Sequence, residues 1–134
     1  MMKLEHIGIA VKSLKKSNQL FESLFGRAPY KSEEVSSEAV ETSFFQLGET
    51  KVELLEAKRE DSAIAKFIEK KGEGIHHLAF EVEDIELEIA RLKSEGFEFV
   101  MDQPKLGADN KRICFLHPKS SNGVLVELCQ EIKE

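Results

Sequence analysis

Alternating apolar and polar residues occur in two similar stretches of the chain, residues 5–11 and residues 76–82. The stretches match at a constant offset of 71 residues, so that His6 aligns with His77. Alternation over this length is typical of a strand with one buried face. Each copy therefore predicts a strand whose histidine lies on the face opposite to its large apolar residues. Those apolar residues are Ile7, Ile9 and Val11 in the first copy, and Leu78, Phe80 and Val82 in the second.

A helical pattern of apolar residues follows each strand. The stripe consists of Leu14, Phe21, Leu24 and Phe25 in the first copy, and of Ile85, Ile89 and Leu92 in the second. Three further strand-like runs then follow in each copy. They cover residues 29–35, 40–47 and 50–56, and then 98–101, 112–117 and 124–130. The pattern predicts two repeats of a strand, a helix and three strands.

A third helix, at about residues 62–71, links the two repeats. Ser62 or Asp61 is suited to cap its first turn, and Gly72 to end it. We expect a single α+β domain over residues 1–134, because no linker separates the repeats. Repeat one covers about residues 1–57, the linking helix about 61–72, and repeat two about 74–134.

Charge and composition exclude several classes of function. The chain has 134 residues, of which 41% are hydrophobic, and a formal net charge of −6. That charge argues against general nucleic-acid binding, which needs a basic face. The longest apolar runs fall well short of the roughly 20 residues of a membrane span. The first residues enter a strand pattern directly, so we expect a cytoplasmic protein. Cys114 and Cys129 lie in apolar runs, which is typical of reduced thiols in a protein core.

Two carboxylates lie where a buried strand face should be apolar. Glu53 and Glu127 each share the predicted inward face of a strand with apolar residues, which is unfavourable for a charge without a partner. His6 and His77 open the first strand of each repeat. Each of these residues taken alone fits an ordinary structural position, but all four recur at matching places. Imidazole and carboxylate together suit a divalent first-row metal with open coordination positions.

Two other histidines fit structural positions. His76 lies next to His77 but on the opposite strand face, and His117 precedes Pro118 in a predicted turn. His117 also lacks a partner in the other repeat, so we expect neither histidine to bind the metal.

The paired repeats with their two histidines and two glutamates resemble the vicinal oxygen chelate superfamily across essentially the whole chain. That resemblance implies a glyoxalase-like, curved half-barrel sheet with flanking helices around one metal. Residues 47–55, 61–67, 74–80 and 115–128 further resemble the methylmalonyl-CoA epimerase family. The most specific part is a His-Pro-Lys-Ser turn followed by Gly-Val-Leu and then Glu127.

The resemblance implies an isomerase that interconverts (2R)- and (2S)-methylmalonyl-CoA through a metal-stabilised enolate. The metal ligands would be His6, Glu53, His77 and Glu127, and cobalt, manganese, nickel or zinc would suit them. Glu53 departs from the family, which often has Gln at that place. Epimerisation removes a proton on one face and returns it on the other, for which two carboxylates suffice. Glu127 would serve as one of these bases as well as a ligand.

The second base is the main departure from the family. Family members carry it in a Glu-x-Gly-Val sequence, whereas this chain reads Ser37-Glu38-Ala39-Val40. Matching Val40 to the family valine puts Ser37 at the base position, and a one-residue deletion puts Glu38 there. We predict Glu38, because proton abstraction needs a carboxylate. The alternative is that Glu38 is a solvated loop residue in an acid-rich stretch.

The implied partners are a coenzyme A thioester and, by analogy with the family, a second copy of the chain in a homodimer. We expect Lys111, Arg112 and Lys119, on loops of the second repeat, to neutralise the phosphates of coenzyme A. We expect neither a nucleic acid nor a membrane as a partner.

Two other functions fit the same fold. A glyoxalase I (lactoylglutathione lyase) shares the ligand set but commonly has Arg where this chain has Ala10, which counts against it. A metal-free small-molecule binding protein is the other alternative, and it has no need of four intact ligand residues.

Overall fold

Two units with the same order of elements make up residues 2–133, which are the residues that the computed structural model describes. One unit is His6–His76, and the other joins residues from 77 onward with the residues before His6. The predicted bounds of the two repeats stay predictions. The first and last residues of the predicted domain lie outside the described residues. That the two repeats form a single domain stays a prediction.

The first unit has the predicted order of a strand, a helix and three strands, followed by the linking helix. Its elements are β1 (Lys3–Val11), α1 (Leu14–Phe25), β2 (Lys31–Val35), β3 (Val40–Leu47), β4 (Thr50–Ala57) and α2 (Ala63–Lys71). The strand order is β2-β3-β4-β1, with β1 parallel to β4 and the other pairs antiparallel. Gly8 lies opposite Glu53, and Phe44 lies opposite Glu53 on the other side. His6 and Glu53 therefore share one face of this sheet, as the sequence predicts.

The second unit repeats the arrangement. Its elements are β5 (Gly74–Glu81), α3 (Ile85–Ser94), β6 (Lys105–Gly107), β7 (Lys111–Phe115) and β8 (Val126–Glu131). The strand order is β5-β8-β7-β6, with β5 parallel to β8. Ala79 and Phe115 lie opposite Glu127 on its two neighbouring strands. His77 and Glu127 therefore share a face in this unit.

The helix α1 covers the other face of the first sheet. It begins at Ser13, whose hydroxyl accepts a hydrogen bond from the Lys16 amide, and ends at Gly26 in the left-handed region with φ of 73°. Leu14 packs with Val11, Phe45, Val52 and Leu54, and Phe21 and Phe25 pack against this cluster. Leu24, predicted in the buried stripe, is instead 69% exposed. Phe21 and Phe25 on either side of it still reach the cluster, so Leu24 lies at the edge of the helical stripe rather than past its end.

The helix α2 packs on the face that carries His6 and Glu53. Ser62 caps it by accepting a hydrogen bond from the Ala65 amide at 3.1 Å, which decides between the two predicted caps. Ile64 packs with Ala10, Val40 and Leu55 in an apolar cluster. These residues close one end of that face with apolar side chains.

The two cysteines are buried free thiols in the second unit, as predicted. Cys114 belongs to the cluster under α3, and Cys129 lies with Ala79 and Ile113 on the face of Glu127. Burial raises the pKa of both thiols, and the charge of Glu127 raises the pKa of Cys129 further. Both side chains are therefore neutral packing groups near neutral pH.

The strand predicted at residues 98–101 is wrong. Phe97, Phe99 and Met101 alternate because they pack against the core of the second unit from an extended segment. Only an isolated bridge joins Phe99 to Leu116, and the short strand β6 follows instead at Lys105–Gly107. Apolar alternation reports a buried face and leaves open whether the backbone pairs with a neighbour.

The helices of residues 2–133 are also informative about membranes. Within that range none is both long enough and apolar enough to cross a bilayer.

Candidate metal centre

His6 and Glu53 form a buried pair in the first unit. The Nδ1 atom of His6 lies 3.1 Å from a carboxylate oxygen of Glu53. Both residues are only 4% exposed. Parallel pairing of β1 with β4 places Gly8 opposite Glu53, so the imidazole one pleat along the same face reaches the carboxylate.

His77 and Glu127 form the matching pair in the second unit. The Nε2 atom of His77 lies 3.2 Å from a carboxylate oxygen of Glu127, and both residues are nearly fully buried. The ring of Phe115 meets the His77 ring edge to face, with centroids 5.9 Å apart. This contact restricts the orientation of the imidazole ring, which lies on the face of the sheet that carries Glu127.

Each unit thus contains one imidazole nitrogen and one carboxylate oxygen close together, at the same place in its own sheet. Nitrogen and oxygen ligands of this kind suit divalent first-row metals, and buried carboxylates need a positive charge or hydrogen bonds nearby. Within each unit the donor atoms already lie 3.1–3.2 Å apart, the spacing that two neighbouring ligands of one ion adopt. The side chains present therefore fit a metal.

Glu38 ends a 3-10 turn, Ser36–Glu38, between β2 and β3, and its side chain is half-buried. The next residue, Ala39, has φ of 54°, in the left-handed region that favours glycine. The family sequence has glycine before this valine, so the backbone supports the alignment without a deletion. Ser37 then holds the family's base position, and Glu38 is the adjacent carboxylate.

Two neighbouring residues are less suited to act as the base. Ser37 is exposed and carries no carboxylate. Glu41 lies opposite Glu56 on the sheet face away from Glu53, and it accepts a hydrogen bond from Lys58 at 3.3 Å. These positions favour Glu38 over both.

Lys111 does not lie on a loop, contrary to the sequence prediction. It begins β7, is 6% exposed, and its Nζ atom lies 3.9 Å from a carboxylate oxygen of Glu5, which is also buried. A buried ammonium paired with a buried carboxylate is poorly placed to meet a phosphate in solvent. Glu5 is a charged site residue that sequence reasoning missed, because its counterpart in the other repeat is His76 rather than an acid.

We expect Lys111→Met to lower the free energy of unfolding by about 3 kcal/mol, because it leaves the buried Glu5 carboxylate without its cation. Lys119→Met is the matched control, since Lys119 forms an exposed pair with Glu98 at 3.1 Å. Exposed pairs contribute roughly 0–1 kcal/mol. Chemical denaturation measures both values, and equal losses from the two substitutions would contradict the buried-pair interpretation.

Of the other two predicted phosphate ligands, Lys119 is exposed and Arg112 is half-buried, and both already hold acidic partners. Arg112 lies in β7 rather than on a loop, and it donates a hydrogen bond to Glu86 at 2.9 Å. Lys119 lies in the 3-10 turn Pro118–Ser121. Exposed ion pairs of this kind exchange at little cost, so either cation is accessible to a phosphate.

His117 has the structural position that the sequence predicts. Its Nδ1 atom accepts a hydrogen bond from the Lys119 amide at 3.2 Å and so caps the turn that begins at Pro118. The His76 ring meets the Phe67 ring of α2 edge to face, with centroids 5.0 Å apart.

Comparison with known proteins connects this geometry to a family. The family model described as the glyoxalase/bleomycin resistance protein/dioxygenase superfamily matches residues 5–115. The chain is 40% identical to the ethylmalonyl-CoA/methylmalonyl-CoA epimerase of Cereibacter sphaeroides, over 96% of this chain and 97% of that protein. It is also 40% identical to the mitochondrial methylmalonyl-CoA epimerase of Dictyostelium discoideum, over 94% of this chain and 76% of that protein.

A solved structure is similar as well. The methylmalonyl-CoA epimerase of Streptomyces coelicolor, a variant in complex with 2-nitronate-propionyl-CoA, superposes with a TM-score of 0.92 and 33% identity. The superposition covers 96% of this chain and 94% of that one. The predicted fold class, with paired strand–helix–three-strand repeats of glyoxalase type, is confirmed.

Proposed function

The chain belongs to the methylmalonyl-CoA epimerase family of the glyoxalase/bleomycin resistance protein/dioxygenase superfamily, and we propose that it interconverts (2R)- and (2S)-methylmalonyl-CoA. The observation that carries this proposal is the buried His/Glu pair at the same place in both units. A relative that the chain matches over 97% of that relative's length is named for the same reaction. The substrate class is therefore an acyl-CoA thioester.

The proposal includes a divalent metal ion that His6, Glu53, His77 and Glu127 hold together. When bound, such an ion polarises the substrate oxygens and stabilises the negative charge that develops on them. Glu53 supplies a charged oxygen where the family often has an amide. In their ionised form the two glutamates would offset the charge of a divalent ion, and the two imidazoles would complete the set of four ligands. Cobalt, manganese, nickel and zinc are all compatible with this donor set.

The chain's own residues move the proton. In one direction a carboxylate oxygen of Glu38 takes the proton from the α-carbon, and the C–H electron pair passes into the enolate. Glu127, which takes up a proton from solvent before this half of the cycle, then gives that proton to the other face, which inverts the centre, and returns to its ionised form. In the reverse direction the two residues exchange roles. After the turnover Glu38 is protonated and Glu127 is ionised, and proton exchange with solvent restores the starting forms.

The proposal also covers binding and assembly. Arg112 and Lys119 neutralise phosphate groups of coenzyme A, while Lys111 is left out of this role because it is buried with Glu5. The proposed assembly is a homodimer, which the family resemblance favours, and the proposed location is the cytoplasm. Size-exclusion chromatography with light scattering tests the dimer, and fractionation of the source cells tests the location.

Two rival activities are less well supported. Glyoxalase I commonly has an arginine at the position of Ala10. Here Ala10 is fully buried against α2, which leaves no space for an arginine side chain. A metal-free binding protein has no need of these four buried ionisable groups, because their burial costs free energy that a bound metal would offset. Both rivals remain measurable outcomes.

A single assay separates these activities. We expect purified protein loaded with cobalt to convert (2S)- into (2R)-methylmalonyl-CoA, and to leave the hemithioacetal of methylglyoxal and glutathione unchanged. Chelation of the metal should abolish the activity, and re-addition should restore it. Turnover of the hemithioacetal alone would establish the glyoxalase activity instead, and binding without turnover of either would establish the binding protein.

A further inference from the structure

Thr42 and Ser43 in β3 carry buried hydroxyl groups that have no hydrogen-bond partner among residues 2–133. Both side chains are fully buried, at 0% exposure. Burial of a hydroxyl without a partner costs free energy, and nearly all buried polar atoms in folded proteins have one. An unpaired buried hydroxyl therefore needs an explanation. Thr42 and Ser43 need separate explanations, because their surroundings differ.

The register of the sheet places the two hydroxyls on opposite faces. Thr42 lies opposite Leu55, and Leu55 shares its face with Glu53, two residues before it. Ser43 lies opposite Leu54, which belongs to the core cluster that α1 covers. Thr42 is thus the diagonal neighbour of Glu53 on the candidate metal face, within reach of a group bound there. Ser43 points into an apolar core.

The neighbouring strand β1 presents small residues on the same face. Gly8 lies opposite Glu53, and Ala10 lies opposite Leu55. Gly8 therefore adds no side-chain bulk beside the Glu53 carboxylate, and the next row across the sheet consists of Ala10, Leu55 and Thr42. Thr42 is the neutral polar group of this row, and its hydroxyl is the one without a partner.

We propose that the Thr42 hydroxyl donates a hydrogen bond to the free carboxylate of a bound malonyl-type thioester, and so selects dicarboxylic acyl groups over simple ones. The inference rests on the proposed function. A substrate of this class carries two acceptors around its α-carbon, the thioester carbonyl and the carboxylate. The carboxylate is the stronger acceptor, because hydrogen bonds to an ionised group are shorter and stronger than neutral ones. It is also the group that a simple acyl-CoA lacks.

The chain offers a matched pair of substitutions for the test. Thr42→Val removes the hydroxyl and keeps the β-branched shape, while Ser43→Ala removes the neighbouring orphan hydroxyl from the opposite face. Both variants should be at least as stable to heat as the wild type, because each loses an unpaired buried polar atom. Calorimetric titration of the cobalt-loaded proteins then measures binding of methylmalonyl-CoA and of propionyl-CoA.

We expect Thr42→Val to weaken binding of methylmalonyl-CoA by about tenfold or more, the effect of losing a hydrogen bond to a charged group. Binding of propionyl-CoA should not change, and Ser43→Ala should bind both thioesters as the wild type does. Equal binding of methylmalonyl-CoA by Thr42→Val and wild type would overturn the proposal. A parallel loss for both thioesters would overturn it too, since the carboxylate would then not be the partner.

Wild-type activity separates this inference from the proposed function. If the wild type epimerises methylmalonyl-CoA and Thr42→Val binds it equally well, only the role of Thr42 fails. If the wild type neither binds nor epimerises methylmalonyl-CoA, both the proposed function and the inference fail.

Discussion

Replacement of His77 by Ala is expected to remove stoichiometric metal and to lower epimerase activity by at least about 100-fold. Loss even of a group that only orients a metal ligand typically costs 10–100-fold in metal affinity or activity, so loss of a ligand should cost at least as much. His77 is buried beside Glu127 at 3.2 Å, with Phe115 against its ring. Metal analysis by mass spectrometry and an epimerase assay on the same preparation give the two values.

His117→Ala is the matched control for this substitution. His117 caps a 3-10 turn through its Nδ1 atom, so its loss should cost some stability and no metal. Circular dichroism checks that both variants are folded. Full metal occupancy in folded His77→Ala would exclude His77 from the ligand set.

Replacement of Glu38 by Gln is expected to lower net epimerisation by roughly 10²–10⁴-fold in both directions, the usual contribution of a positioned acid or base. Each direction requires both carboxylates, one to take the proton and one to return it. The enantiomer that Glu127 deprotonates should still exchange its α-proton with solvent deuterium, with its configuration retained. Proton NMR in deuterium oxide, followed by chiral analysis of the thioester, measures this split.

Glu34→Gln is the matched control for Glu38→Gln. Glu34 is exposed and lies opposite Glu41, on the sheet face away from Glu53. Glu33→Gln tests the competing carboxylate, since Glu33 lies opposite Thr42 on the Glu53 face. Wild-type epimerisation by Glu38→Gln together with a large loss in Glu33→Gln would move the base from the 3-10 turn to β2.

The repeat made most of the fold and the four candidate ligands predictable from the sequence. His6 and His77 stand at the same place in two alternating strands, and the structure pairs each with the predicted glutamate of its own unit. Such pairs are predictable because strand alternation fixes the face of a residue without knowledge of its neighbours. Family resemblance added the reaction, which no spacing of residues shows.

Other features depend on contacts between segments distant in sequence. Lys111 reads as a loop cation, yet its partner Glu5 lies at the opposite end of the chain. Thr42 reads as an ordinary strand residue, and only the register of β3 with β4 places its hydroxyl beside Glu53. Leu24 fits the helical period of α1 but lies at the edge of the stripe, where its side chain stays exposed. Periodicity predicts which residues share a face of a helix or strand. Which side chain a residue contacts, and how much of a helix face the sheet buries, depend on the tertiary structure.

The measurement that tests the central claim most directly is solvent-deuterium incorporation at the α-carbon of (2S)-methylmalonyl-CoA during a single-enantiomer incubation. The proposed mechanism predicts that the (2R) product carries one deuterium at the α-carbon, and that metal chelation stops both exchange and inversion. Recovery of unlabelled (2S)-methylmalonyl-CoA from metal-loaded wild-type protein would contradict α-proton abstraction, and with it the proposed function.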